Sequence, residues 1–342
     1  MHEALSALYQ AAGTEHVAPG LSPRLHIICE RDVGLFSLIQ QVIANIPWAL
    51  RGGYIPITYF GPRTCYWVPE GYQGADTVWE YYFEPIVEDY PVAAIPEPVR
   101  RFIQTHPPVV GDGNFSPEAV GYAIDDNILV CAQYGDHPLI AEKAMPIPYL
   151  HDPDRALRDK AGRIVARYIR PRRYIDEKVE AFVASNMHGR AVIGMHVRGT
   201  DAVSAAETRD YRRGSLALER YAEAVRALLR ARGNAAIFVA TDDESSLAFF
   251  RDRFGARVLA YDSIRHSGGE PAGTGPLGCI MPAYIAADRH RASRNGEEAV
   301  IEYLLLARCD HLVHNGSSLA RTVLLKNPAL PHTNTHAQAT LS

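Results

Sequence analysis

The stretch that most constrains this chain is Ala191-Val192-Ile193-Gly194-Met195-His196-Val197-Arg198-Gly199-Thr200-Asp201. A short, nearly unbroken apolar run reads as a strand buried on both faces, as in a parallel sheet covered by helices. Its last residues and the turn beyond carry a His, an Arg, a Thr and an Asp. Ligands of open α/β sheets bind at the carboxyl ends of strands, so polar groups delivered there form a candidate binding site. His196 and Arg198 lie two apart and leave the strand on the same side. The guanidinium fork suits a phosphate. The plainer reading is an Arg in a surface ion pair and a His packed at a strand end. This stretch alone does not separate the two.

Beyond Asp201 the chain alternates strand and helix. A polar loop at 202–214 leads to a helix from Ser215, read as its N-cap, to Gly233, read as the residue just past its end. The strand Ala236-Ile237-Phe238-Val239-Ala240 runs into Thr241-Asp242-Asp243-Glu244, which matches a capping box for a helix to Phe254. A strand at 257–261, a polar loop at 262–278, and helices around 281–290 and 297–308 come next. The strand His311-Leu312-Val313-His314 then enters Asn315-Gly316-Ser317-Ser318, where a helix to Lys326 begins, and a loose tail is expected beyond Pro328.

The first half opens with a short helix and a Pro/Gly connection over residues 1–23. Leu25 to Glu30 reads as a strand, Arg31-Asp32-Val33-Gly34 as a turn, Leu35 to Leu50 as a helix and Tyr54 to Phe60 as a second strand. That is a βαβ unit, with the turn at Asp32 and Gly34 as a possible phosphate or acceptor contact. Residues 66–83 are dense in aromatics, among them Trp79 and Tyr81. Exposed, these rings stack on sugars; packed, they form a core layer under the sheet. The helices at 155–187 break near Pro171. The basic run Arg163, Arg167, Arg170, Arg172 and Arg173 reads as a solvated helix face. The resulting domains are 1–155 (N-terminal, Rossmann-like, acceptor side), 156–189 (helical bridge), 190–327 (C-terminal, Rossmann-like, nucleotide-sugar-binding) and 328–342 (tail).

Composition bounds the partners. A chain of 342 residues with 47% hydrophobic content builds about two cored domains, and a formal charge of -4 gives no electrostatic reason to expect nucleic acid. Five scattered cysteines without a CxxC pair read as reduced thiols, so a cytoplasmic protein without a membrane span is expected.

Two further places carry chemistry. Asn315 to Ser318 set hydroxyls and unpaired backbone N–H groups at a helix start, whose partial positive charge suits a diphosphate. Ser317 or Ser318 as a plain N-cap is the alternative. Glu302 lies among apolar residues of its helix, so its carboxylate needs donors. A guanine's N1–H and N2–H₂ supply two, and an internal Arg would serve as well. Gly273-Thr274-Gly275-Pro276-Leu277-Gly278 spells a dinucleotide pattern but comes after a loop and contains Pro. Asp152-Pro153-Asp154 spells a metal-binding DxD but sits in a Pro-rich connector, and no His/Cys cluster has metal-ligand spacing. No metal and no cofactor are expected.

Three ordered motifs carry a family resemblance: His196-Val197-Arg198-Gly199-Thr200-Asp201, Val239 to Ser245, and Cys309 to Ser318. Together they resemble the α-1,6-/protein O-fucosyltransferase superfamily, including its NodZ-like members, over roughly residues 160–327. The resemblance implies an α/β GT-B fold, two Rossmann-like domains facing across a cleft. It implies an inverting, metal-independent glycosyltransferase moving L-fucose from GDP-fucose to a hydroxyl of a glycan or glycoconjugate acceptor. Carried over by position, Arg198 holds the β-phosphate and neutralises departing GDP. His196, Asp242, Asp243, Glu302, Ser317 and Ser318 are donor-binding. Glu207 stands next to the position of the general base, with Asp210, Asp32 and Glu30 as alternatives. Asp32, Gly34, Trp79 and Tyr81 are the acceptor-side candidates. Two departures stand out: Gly199 where core enzymes have a second Arg, and Ala202 where they have a Lys. They keep two rivals open, the same fold with another nucleotide sugar and a nucleotide-sugar-binding module without turnover.

Overall fold

The computed structural model describes residues 23–31, 33–108, 121–132, 147, 151–198, 215–266, 272–274, 280–282 and 288–335. The chain divides into two compact units, residues 1–149 with 163–172, and residues 150–162 with 173–342. The segment expected as a separate bridge is therefore shared between them. Glu207, Asp210 and Asp32 lie outside the described residues, as does the N-terminal helix expected before residue 23.

Unit one is built on β1 (Leu25–Cys29), α1 (Leu35–Arg51) and β2 (Ile55–Tyr59). After these come α2 (Val78–Tyr82), α3 (Glu97–Thr105), β3 (Gly121–Ala123) and β4 (Ile128–Cys131). The sheet order is β2-β1-β4-β3, with β1 parallel to β2 and β4, and β3 antiparallel to β4. Every residue of β1 is buried, which is what an apolar strand between two parallel neighbours must be. Ile27 and Cys29 of β1 pack with Ile57 and Tyr59 of β2 and with Val99, Phe102 and Ile103 of α3.

Between the two sheets in chain order come α4 (Arg155–Tyr168) and α5 (Arg173–Phe182), parted at Pro171 as expected, and a π-helical turn at Val183–Met187. Asp154 accepts from the Leu157 N–H at 2.8 Å at the start of α4.

Unit two holds β5 (Val192–Val197), α6 (Ser215–Arg232), β6 (Ala236–Thr241), α7 (Glu244–Phe254) and β7 (Val258–Leu259). The hairpin β8 (Ala272–Thr274) and β9 (Ile280–Pro282) precedes α8 (Arg289–Ala307), β10 (His311–His314), α9 (Ser318–Lys326) and β11 (His332–Asn334). The five-stranded sheet is ordered β11-β10-β5-β6-β7, and every pair in it is parallel. One face of β5 and β6 meets Tyr221, Val225, Leu247 and Phe250 from α6 and α7. Full burial of each such side chain contributes about 1.5–3 kcal/mol. On the other face Gly194 admits the end of α8 and Cys309 just beyond it: an added Cβ would stand 3.1 Å from Leu306 Cδ2 and 2.8 Å from the Cys309 sulfur.

Several local expectations are corrected. Of the helix expected around 281–290, residues 281 and 282 belong to strand β9 and residues 289 and 290 open α8, while 283–287 lie outside the described residues. The tail beyond Pro328 contains β11, an edge strand parallel to β10. The N-cap of α7 is Asp243 rather than Thr241, because the Asp243 carboxylate accepts from the Ser246 N–H at 2.7 Å.

Candidate functional site at the carboxyl edge of the second sheet

The chain leaves β5 to form β6 on one side of it, while β10 lies on the other, so the sheet's order reverses at β5. A crevice outside the strand ends at such a reversal is where open α/β sheets bind ligands. At this edge the hydroxyl of Ser317 and Nδ1 of His196 share a hydrogen bond of 2.9 Å. The strand end and the helix start singled out in the sequence are thus in direct contact.

Each side chain is positioned by its neighbours. His314 ends β10 and takes the Gly316 N–H on Nδ1 at 2.9 Å. Gly316 turns the chain with φ +79°, a left-handed value glycine adopts without strain. Ser317 then caps α9, its Oγ accepting from the Ala320 N–H at 3.1 Å. Arg321, buried on the first turn of α9, donates from Nη1 to the Gly316 carbonyl at 2.9 Å and from Nη2 to Ser318 Oγ at 3.1 Å. The turn therefore presents a helix N-terminus with a buried guanidinium behind it, two positive features on one short segment. Arg198 comes directly after the last residue of β5 and is exposed. Asn315 Oδ1 is buried at the same turn with no hydrogen-bond partner among the described residues.

His196 is buried, and its backbone carbonyl accepts from the Tyr221 hydroxyl at 3.0 Å. Burial first, then the charge of Arg198 and His314, push its pKa down to about 3, so it is a neutral imidazole at any ordinary pH.

On the neighbouring strand Val197 is in register with Thr241, so Arg198 and Asp242 leave adjacent strand ends. The Asp242 carbonyl accepts the His266 N–H at 2.8 Å, and the Glu244 N–H donates to the His266 carbonyl at 2.9 Å. These bonds lay residues 261–266 along the edge. Two carboxylates of α8 hold that segment: Glu298 accepts the Ile264 N–H at 2.7 Å, and Glu302 accepts from the Ser263 hydroxyl at 2.6 Å. Arg265 lies 3.8 Å from the same Glu302 oxygen. Burial nonetheless raises the Glu302 carboxyl to about 7, against the pull of Ser263 and Arg265 and with the push of Glu298 and Asp242. Arg265 is thus an ion-pair neighbour of Glu302 and donates its hydrogen bonds to the Tyr261 and Ser263 carbonyls, while the Ser263 hydroxyl is the donor to Glu302. Asp243 serves the cap, accepting from both Ser245 and Ser246 hydroxyls at 2.6 Å. Burial pushes its carboxyl up, and those bonds outweigh it, leaving the pKa lowered.

The other expected site residues separate. Trp79 and Tyr81 are 1% and 0% exposed, and are corrected from sugar platforms to core. Their polar atoms are used internally: Trp79 Nε1 donates to the Glu84 carbonyl at 3.1 Å and the Tyr81 hydroxyl to the Val68 carbonyl at 3.2 Å. Gly34 is the N-cap position of α1 with ordinary extended backbone and open space around it.

Sequence reasoning missed two features. Arg321 is one; its signal was an Arg on the inward face of a helix just after a Gly-Ser-Ser turn. The other is Asp152, set aside as part of a connector, which lies 4.0 Å from His314 Nε2 and 3.8 Å from His332 Nδ1. These three residues cluster as metal ligands would. A backbone N–H can only donate, so His314 Nδ1 accepts from Gly316 and the proton of the neutral ring sits on Nε2. That proton faces His332 Nδ1 at 3.0 Å. In this state His332, His314 and the Gly316 N–H form a hydrogen-bonded string that braces the turn, Asp152 accepts from Asn334 Nδ2 at 2.9 Å beside it, and His314 Nε2 has no lone pair for a cation.

The fold this defines is an α/β, GT-B-like one. It is the fold of fucosyltransferases of known structure. The chain matches NodZ alpha-1,6-fucosyltransferase soaked with GDP-fucose at TM-score 0.53 and 19% identity, over 89% of this chain and 92% of that one. It matches the Se-Met fucosyltransferase NodZ from Bradyrhizobium at 0.50 and 17%, over 91% and 93%. The match to POFUT1 in complex with GDP is 0.51 and 13%, over 92% and 98%. No family model matches the chain, and neither does any curated protein. No helix among the described residues is long and apolar enough to cross a membrane.

Proposed function

We propose that the protein is a GT-B, inverting, metal-independent fucosyltransferase that moves L-fucose from GDP-fucose to a hydroxyl of a glycan or glycoconjugate. The observation that carries this reading is the Ser317–His196 hydrogen bond, which brings the helix start beside the strand that ends at Arg198. GDP leaves as an anion, and its developing charge is the main electrostatic demand of the reaction. The exposed Arg198 and the N–H groups opening α9 meet that charge at the β-phosphate. His196, neutral, holds Ser317 and orients the turn. Asn315 Oδ1 accepts a hydrogen bond from the donor. Glu207 removes the proton of the acceptor hydroxyl, on the face opposite the leaving diphosphate.

The Ser263 and Arg265 contacts of Glu302 favour one second reading, the same fold acting on a different nucleotide sugar. A carboxyl raised to about 7 and already in receipt of a hydrogen bond reads guanine only if one oxygen stays available. Thermal-shift titration with GDP, UDP and dTDP separates the two readings. GDP alone should raise Tm, and Glu302→Gln should weaken GDP without creating UDP binding; a UDP-only response overturns the guanine assignment. GDP-fucose turnover by the wild type distinguishes an enzyme from a binding module.

A further inference from the structure

The Gly316 turn is braced from behind by β11. That edge strand sets His332, Thr333 and Asn334 in register with Leu312, Val313 and His314 of β10. Just past it Thr335 grips the His314 carbonyl twice, through its N–H at 2.8 Å and its hydroxyl at 3.2 Å. The His314 backbone is therefore held, and what is left to place is its imidazole. That ring is 0% exposed, so both nitrogens must find partners inside the protein. Nδ1 is committed to the Gly316 N–H at 2.9 Å, which leaves the proton on Nε2. Among the described residues two acceptors stand near that proton. His332 Nδ1, at 3.0 Å, is within hydrogen-bond reach, and Asp152 Oδ2, at 4.0 Å, is not. Asn334 Nδ2 donates to that same Asp152 oxygen at 2.9 Å and holds the carboxylate aside.

A buried N–H without a partner bears the full cost of its desolvation, so the ring settles where that proton is accepted. With His332 in place, the orientation that satisfies Nε2–H is also the one that keeps Nδ1 on the Gly316 N–H. Without it, the acceptor left is the Asp152 carboxylate, and a ring that swings toward it carries Nδ1 off the turn. Both rings are neutral at neutral pH. Burial lowers their pKa values, and Arg321 and His311 beside His314 and Arg158 beside His332 add to it against the pull of Asp152. We propose that His332 is a positioning residue of the nucleotide-diphosphate site. By accepting from His314 Nε2–H it fixes the tautomer and orientation of that ring, and through the Gly316 N–H it sets where the start of α9 meets the diphosphate. The diphosphate role rests on the glycosyl-transfer reading; the tautomer and its hold on the turn do not.

The test uses the full chain, with imidazole nitrogen NMR on the free protein and calorimetry with GDP as the probe. In the wild type at neutral pH, His314 should be neutral with its proton on Nε2. His332→Leu, which offers no acceptor, should shift the His314 ring and Gly316 amide signals and weaken GDP binding about tenfold. His332→Asn, whose side-chain oxygen can take the place of Nδ1, should return the Gly316 amide toward its wild-type position and recover most of that affinity. A residue that only packs would lose as much with either substitution, so the rescue separates positioning from packing. His332 is half-buried on an edge strand, and the wild-type spectrum reports the tautomer even where a variant fails to fold. A proton on His314 Nδ1, unchanged GDP affinity in His332→Leu, or equal losses in the two variants each overturns the proposal. Wild-type GDP binding in that event leaves the transferase reading standing. A wild type that binds no GDP overturns the diphosphate role and the transferase reading together, while the spectra still decide whether His332 sets the turn.

Discussion

At the scale of single residues, Arg198 and Ser317 stand at the same sheet edge yet carry different kinds of work. Arg198 is exposed beyond the strand end, so its removal opens no cavity. Losing one preorganised charge-stabilising donor typically costs about 10²–10³ in kcat. Arg198→Ala is therefore expected to lower kcat with GDP-fucose by that factor while Tm moves by less than about 2 °C, the change of a typical exposed substitution. Steady-state kinetics beside a melting curve checks both halves. A large loss of Tm with kcat preserved would make Arg198 a structural residue. Ser317 works inward, through the Ala320 cap and His196. The two roles were open in the sequence for both residues, because a strand-end Arg and a helix-start Ser look the same whether or not a ligand is nearby.

At the scale of elements, the Gly316 turn connects β10 to α9 and holds the site's geometry. Its φ of +79° and an added Cβ only 3.3 Å from Asn334 Nδ2 both oppose any other residue. A left-handed conformation costs an ordinary residue about 1–2 kcal/mol. Gly316→Ala should therefore lower stability by about that amount and weaken GDP binding more than tenfold, since the helix start moves with the turn. Urea unfolding and calorimetry of GDP binding measure the two. The cap of α7 offers a control at the neighbouring strand. Asp243→Ala removes a carboxylate that accepts from Ser245 and Ser246, and loss of an N-cap costs about 0.5–2 kcal/mol. The folded pKa of Asp243 is lowered, so this stabilisation is present above the ordinary aspartate pKa and is lost as pH falls through the folded value. The difference between wild type and Asp243→Ala should shrink in strong acid; a pH-independent difference would show that the charge plays no part.

At the scale of the whole molecule, three buried histidines set the acid side of stability. Burial is the leading cause in each case, lowering His26 to about 4, His196 to about 3 and His314 to about 4. Below the ordinary histidine value the unfolded chain takes up protons that the folded protein refuses. Each histidine then removes up to about 1.4 kcal/mol of stability per pH unit on the way down to its folded pKa. Glu302, raised to about 7, acts in the opposite sense: its contribution is full below about pH 4.5 and is lost as pH rises to about 7. The carboxyls of Glu30, Glu80 and Glu298 are raised by burial as well and act with Glu302, so a variant isolates the histidine contribution. The stability that the wild type loses between about pH 6.5 and 5 should exceed the loss in His26→Gln. Urea unfolding across that range is the check, and equal losses would mean that His26 is protonated in the fold.

How much of this was legible depends on how local each signal is. The β5 strand, the α6 and α7 helices and the turn into α9 are written in short-range patterns of apolar period, Gly and cap residues, and they fold where those patterns put them. The sequence by itself determined the alternating α/β course, the polar strand ends and the helix start. Tertiary structure alone decided that β11 joins the sheet, that Trp79 and Tyr81 face inward, that Arg265 reaches Glu302, and that Asp152 and Arg321 stand behind the Gly316 turn. Each of those depends on which distant segment lands beside which, and burial and pairing free energies, unlike backbone propensity, are functions of that neighbour.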